Sequence, residues 1–321
     1  MMKQLCVTSS PHLRSSMTTK RIMQIVCLAL APSGIAGIVL FGWNAAALIV
    51  TSVLACVISE YAFQWFTHQK VTVSDWSAVV TGLLLAYNLP ANAPLWLAVV
   101  GGIIAIVLVK QFFGGIGCNF VNPALAARAI LFVSWASLMA DYPKTLFMAD
   151  TVTNATGTVT AVSTASPLAK LAAGEEINLW HLLIGNCSGV LGETCKIAII
   201  AGGLYLIIRG IADWRIPLTF IGTAFICYLI KSGFDVALIE ILSGGLMLGA
   251  FFMATDYTTS PMMPVGKIIM GVGCGLLVFI IREYATYIEG CSFAILFMNV
   301  LTPMIDKFTV RKSFGEVKQH A

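Results

Sequence analysis

Charged side chains make up only 11% of this 321-residue chain, against about 25% in an ordinary soluble domain. So few charges leave no polar shell for a soluble protein of this size. The net charge of +4 fits basic loops beside a membrane, not a nucleic-acid face, and no nucleic-acid partner is expected. None of the nine cysteines (6, 27, 56, 118, 187, 195, 227, 274 and 291) stands in a Cys-x-x-Cys pair, which argues against an iron–sulfur or zinc site within the chain. His12, His68, His181 and His320 show no ligand spacing. The Gly-x-Gly-x-x-Gly string of a dinucleotide-binding turn is missing. No small-residue cleavage site follows a short apolar core near Met1, so the start does not read as a removable signal.

Long apolar runs fill the space those absences leave. Hydrophobic residues are 58% of the chain, and runs of 15 to 25 residues recur, as a bilayer core about 30 Å thick requires. The expected fold is an all-α polytopic membrane protein. About ten spans are expected, at roughly 22–41, 44–66, 74–90, 94–112, 119–138, 194–209, 215–231, 237–255, 266–283 and 286–305. The third and eighth read as candidate half-membrane segments. With a cytoplasmic N-terminus, thirteen Lys and Arg (Lys110 among them) fall on the cytoplasmic side. Five fall outside: Lys144, Lys170, Lys196, Lys231 and Arg282. The positive-inside rule favours that orientation. The expected organisation is a cytoplasmic tail (1–19), a first membrane repeat (20–138), an extracytoplasmic loop (139–193), a second repeat (194–306) and a second cytoplasmic tail (307–321).

The halves carry parallel punctuation. Gly82, Pro90, Gly101-Gly102, Gly114-Gly-Ile-Gly117 and Asn122-Pro123 are echoed by Gly245, Pro261, Gly271, Gly290 and Thr302-Pro303. Five spans per half would make the repeats inverted, a design that puts a binding site near the midplane between them. In Phe112-Phe-Gly-Gly-Ile-Gly-Cys-Asn-Phe-Val-Asn-Pro-Ala-Leu-Ala-Ala-Arg128, glycines free the backbone to turn or approach a ligand and Pro123 suits a first helical turn. Arg128 would then lie in a membrane helix, where a charge needs a partner: a phosphate, a flavin carbonyl or a carboxylate. Otherwise it would reach the interface by snorkelling. Gly114, Gly115, Gly117, Asn119, Asn122 and Arg128 are thus candidate cofactor-binding residues.

The long loop holds eight Thr and Ser between Thr151 and Ser166. Its Asp150-Thr-Val-Thr-Asn-Ala-Thr156 stretch resembles the site where a flavin transferase links FMN by a phosphoester to a Thr hydroxyl. Asp150, Thr153, Ala155 and Thr156 match that pattern; Thr151 and Asn154 depart from it. Thr156 is the candidate attachment residue. Ser166, followed by Pro167-Leu168 as the pattern's Thr usually is, remains the alternative. The glycine-rich string, Gly185-Asn186…Glu193, Trp214-Arg-Ile-Pro217, Phe252-Met-Ala-Thr-Asp256-Tyr-Thr-Thr-Ser-Pro261 and Glu289-Gly-Cys-Ser-Phe…Thr302-Pro303 together resemble a family of membrane proteins from flavin-carrying, ion-pumping redox complexes. It includes the D subunit of Rnf complexes and the B subunit of the sodium-pumping NADH:quinone reductase. The resemblance runs from Lys20 to Asp306 and leans to the Rnf branch.

That resemblance implies two inverted five-helix repeats like those of urea transporters, covalent FMN and room for a riboflavin. It also implies iron–sulfur and flavin subunits as partners, a bacterial cytoplasmic membrane, and electron flow from ferredoxin to NAD⁺ coupled to Na⁺ or H⁺ movement. Carboxylates within or at the ends of spans are rare and functional, so Asp256, Glu60 and Glu240 are the candidate ion path. Asp256 stands first, with Thr255, Thr258 and Thr259 as further oxygen ligands for a hard cation. The competing reading is a channel or transporter for a small solute; a purely structural membrane anchor is a third.

Overall fold

The computed structural model describes residues 17–147, 167–172, 179–285 and 290–310, and these are mostly helical. In the first half α1 (Thr19–Phe41) and α2 (Trp43–Phe66) are long. α3 (Ser77–Tyr87) is short, and α4 (Leu95–Ile103) runs on as a π-helix over Ile104–Gln111. α5 (Pro123–Ser134) and a single turn, α6 (Ala136–Met139), follow. Two short helices, α7 (Pro167–Ala172) and α8 (Leu179–Ile184), come between the halves. The second half has α9 (Lys196–Ile208), α10 (Arg215–Ser232), α11 (Phe234–Leu242) and α12 (Leu246–Leu248), which continues as a π-helix over Gly249–Met253. α13 (Pro264–Tyr284) and α14 (Cys291–Thr309) close it.

Local chemistry accounts for the punctuation. Thr18 caps α1 by accepting from the Arg21 amide. Asn122 caps α5, its Oδ1 accepting from the amides of Ala124 and Leu125, while Pro123 occupies the first helical turn, where no N–H is needed. Pro264 does the same for α13.

Among the described residues five helices are long and apolar enough to cross a membrane: α1, α2, α10, α13 and α14. A sixth span is reached if α11 and Leu246–Met253, bent by 67° at their junction, count as one. The ten expected spans are therefore five to six by this measure. The third, fourth, fifth and sixth of them fall on apolar helices of 10–17 residues. At 1.5 Å per residue, the eleven residues of α3 reach about 16 Å, half the hydrocarbon thickness.

One apolar core runs through both halves, from Ile25 and Leu30 through Leu85, Leu125 and Phe220 to Ile305. Small residues allow close helix packing, as membrane helices need. A Cβ on Gly271 of α13 would overlap Thr219 Oγ1 of α10, so glycine sets that spacing. Backbone also ties the first half to the segment that leads into the second. After α3 the chain is extended, and Leu89 O and Tyr87 O accept from the amides of Leu191 and Gly192. Outward, Trp43, Ile208, Ile230 and Phe308 are more than three-quarters exposed; these apolar side chains face where lipid would be.

Candidate functional site

Two buried polar clusters join the first half to the rest of the chain, and a third lies within the first half. The first joins the two glycine-rich stretches. Gly114, Gly115 and Gly117 take φ values of 111°, 91° and 91°, the left-handed region that side chains avoid, and so turn the chain from α4 back toward α5. That turn delivers Asn119, whose Nδ2 donates to Val121 O (3.1 Å) and to Thr258 Oγ1 of the second half (3.0 Å). Thr258 Oγ1 in turn donates to Asp256 Oδ2 at 3.1 Å. Asn122, buried, donates to Met253 O at 3.4 Å. Asp256, Thr255, Thr258, Asn119, Asn122 and Lys110 all border one cavity of about 100 Å³. Carboxylate, hydroxyl and amide oxygens around a small cavity are a donor set for a hard monovalent cation or a hydronium.

The second cluster surrounds Arg128, 5% exposed. Its Nη1 donates to Asn88 Oδ1 (2.9 Å), Ser292 Oγ (2.9 Å) and Glu193 Oε1 (3.4 Å). Of the partners expected for this arginine, the structure supplies the carboxylate, and the side chain stays inside instead of reaching the interface. Glu193 presses on the break between α11 and α12: a Cβ on Gly245 would collide with its Oε1. Lys196 Nζ donates to Glu193 O and, at 2.8 Å, to Gly244 O. Pro167 and Leu168, where the loop chain rejoins the described structure, border the same pocket as Glu193, Lys196 and Gly244.

The third cluster holds Glu60, 1% exposed. Lys110 Nζ donates to its Oε1 (2.9 Å), its Oε2 (3.0 Å) and Ser77 Oγ (2.6 Å). Gln111 Nε2 adds a bond at 2.9 Å and Gln64 Nε2 one at 3.4 Å. The π-helical register of 104–111 turns both Lys110 and Gln111 toward α2, and such insertions recur at functional sites. Glu240 stands apart, at the end of α11, paired with Arg282 at 3.1 Å. Thus Asp256, Asn119 and Asn122 come together, Arg128 lies in the neighbouring cluster, and Glu60 touches the cavity only through Lys110. Asp150, Thr156 and Ser166 lie outside the described residues.

Lys110, Lys196 and Arg282 are not loop charges, as their places near the ends of apolar runs suggest, but buried partners of acids and carbonyls. Asn88 and Ser292 were also unforeseen; nothing local distinguishes them from other small polar residues at helix ends.

The profile of the NQR2, RnfD, RnfE family matches residues 6–315. The chain belongs to that family. It is similar to the D subunit of the Na(+)-translocating ferredoxin:NAD(+) oxidoreductase complex of Acetobacterium woodii, 48% identical over 320 residues, covering 98% of this chain and 96% of that protein. It is 38% identical to the D subunit of the proton-translocating ferredoxin:NAD(+) oxidoreductase complex of Clostridium ljungdahlii, with 96% of each covered. It is 33% identical to the D subunit of the ion-translocating oxidoreductase complex of Halorhodospira halophila, covering 97% and 96%.

Proposed function

We propose that this chain is the RnfD-type membrane component of an ion-translocating ferredoxin:NAD⁺ oxidoreductase, an Rnf-type complex, and works only with the other subunits. Full-length identity of 48% to the Acetobacterium woodii protein carries this reading. Lacking a nucleotide-binding string or cysteine cluster of its own, the chain depends on iron–sulfur and flavin subunits to bring electrons and take them away. A solute channel would use a midplane cavity equally well, but the named relatives are oxidoreductase subunits, and that favours the redox reading.

The finer parts rest on sequence pattern. The ten apolar segments are read as two inverted five-helix repeats of urea-transporter type, four of them too short to span alone. The N- and C-termini face the cytoplasm of a bacterial inner membrane. Taking Lys110, Lys196 and Arg282 out of the count of loop charges, since they are buried against acids and carbonyls, leaves the cytoplasmic excess intact. FMN is joined covalently at Thr156, with Ser166 as the alternative and Asp150 assisting attachment. Bound there, FMN would carry one or two electrons, and the protein's part is to hold and tune it. The tether at Pro167–Leu168 against the Glu193–Lys196 cluster fixes one end of that loop on the helical body. A riboflavin is a further cofactor that the glycine-rich turns would suit.

The ion path is read through Asp256, with Glu60 and Glu240 as further carboxylates. Whether the ion is Na⁺ or H⁺ turns on how many oxygens reach the cavity, since Na⁺ needs several and a proton one. The test of the redox reading is flavin fluorescence in a denaturing gel. A fluorescent band at the mass of this chain supports it, and peptide mass after Thr156→Val assigns the residue. A colourless band from an active, assembled complex would overturn covalent attachment.

A further inference from the structure

A second cavity, of about 320 Å³, opens beside the one that holds Asp256. Its lining mixes Asp213, Arg215, Ser260 and Lys267 with Trp214, Tyr257 and apolar side chains. Ile211, Ala212, Thr255 and Tyr257 border both cavities, so one layer of side chains separates them. Across the outer cavity Asp213 ties two helices. Its Oδ2 accepts from Lys267 Nζ of α13 at 2.9 Å and from Arg215 Nη1 of α10 at 3.2 Å. α10 and α13 both begin here. Tyr257, 56% exposed, stands where the two cavities adjoin, one residue from Asp256. The buried Arg128, Glu193 and Lys196 cluster, by contrast, is closed by its own ion pair and hydrogen bonds.

We propose that the cavity walled by Asp213, Trp214, Arg215 and Lys267 is the water-filled mouth through which a small monovalent cation reaches Asp256, and that the Asp213–Lys267 pair spans this mouth. The proposal rests on the reading of Asp256 as part of the ion path. Asp213 supplies a carboxylate for a hydrated cation to meet first. Its two basic partners keep the mouth from binding that cation tightly, because they already neutralise the acid. Thr255, shared by both cavities, is the next hydroxyl inward.

Accessibility of single cysteines in the assembled complex tests this independently of pumping. Ser260→Cys lines the outer cavity alone, and Thr255→Cys lines both. A charged, membrane-impermeant methanethiosulfonate is applied to vesicles of each orientation, and labelling is read by mass on the peptide. The expected result is labelling at both positions from the side that carries the N-terminus. Lys267→Met, which frees one arm of Asp213, should raise the rate at Thr255→Cys several-fold. Labelling of Ser260→Cys without Thr255→Cys would mean that the cavities do not connect and would overturn the proposal, as would labelling from the opposite face only. Ion uptake by Asp256→Ala is a separate measurement. Normal uptake there, with both cysteines labelled, removes Asp256 from the path while leaving the water-filled mouth in place.

Discussion

Lys110→Met is the substitution whose outcome the structure constrains most tightly. In the native protein Lys110 donates three hydrogen bonds, two to Glu60 and one to Ser77, with both charged side chains at 3% exposure or less. Methionine keeps the volume and removes the charge. Glu60 Oε1 retains Gln111 and Gln64, but Oε2 loses Lys110. Breaking a buried pair from one side costs about 3–5 kcal/mol. The retained amide donors, each bond to a charged group being worth about 1.5–3 kcal/mol, keep the effect near the lower end. At about 2–4 °C per kcal/mol for domains of comparable size, the melting midpoint should fall by roughly 6–12 °C. Cys56, fully buried one turn before Glu60 on α2, supplies the readout: a thiol-reactive label, quantified by mass on the Cys56 peptide, reports its exposure as the purified complex is heated. Adding Glu60→Gln to Lys110→Met should recover most of the loss, because the stranded carboxylate is then gone. A Lys110→Met midpoint within about 2 °C of wild type would refute the reasoning. So would a double variant less stable than the single.

Three other outcomes follow from the same geometry. Asp256→Ala should sharply reduce ion uptake into vesicles while covalent flavin content stays at the wild-type level. Burial raises the Asp213 carboxyl, but Lys267 and Arg215 outweigh it and hold it below its ordinary value of 3.8. The stability it contributes is therefore present above that value and lost as pH falls through the lower folded-state value. The gap in melting midpoint between wild type and Asp213→Asn should stay constant from pH 5 to 7 and close in stronger acid. Gly271→Val should abolish folded yield, since its Cβ would overlap Thr219 Oγ1. Gly222→Ala, with open space around it, should express normally.

Composition and apolar runs were enough to place this chain in the membrane, because the bilayer demands long apolar stretches whatever the packing. Of the ten expected spans, five to six are met by helices long and apolar enough to cross it, among the described residues. An apolar run reports that a segment is buried, not how much of it is helical: the run at 74–90 contains a helix only from Ser77 to Tyr87, cut short where the extended chain at 88–91 pairs with the 190–192 stretch that leads into the second half. The glycine-rich turn was legible, since three glycines in four residues announce positive φ. The Asn119–Thr258 bond was not, because 139 residues separate the pair and only the fold joins them. Lys110 shows the limit most clearly. A lysine at the end of an apolar run looks like an interfacial charge, and only the π-helical register carries it inward to Glu60.

The bent span from Phe234 to Met253 shows why its far end suits an ion and its internal break does not. A helix break exposes carbonyls at its C-terminal edge, where the dipole favours cations. At the junction those carbonyls are met by the chain's own cations: Arg282 donates to Glu240 O and Ser243 O, and Lys196 donates to Gly244 O. A transported cation would have to displace a buried arginine or lysine there. Beyond Met253 the arrangement reverses. The loop that follows carries Asp256, whose side-chain partner is the neutral Thr258 hydroxyl, and Asn119 reaches it only through that hydroxyl. The carboxylate borders a cavity instead of a guanidinium. Of the carboxylates named from the sequence, Glu60 and Glu240 are held by Lys110 and Arg282. Asp256 is the one whose first contacts are neutral, which makes it the residue where an arriving cation would change the local charge most.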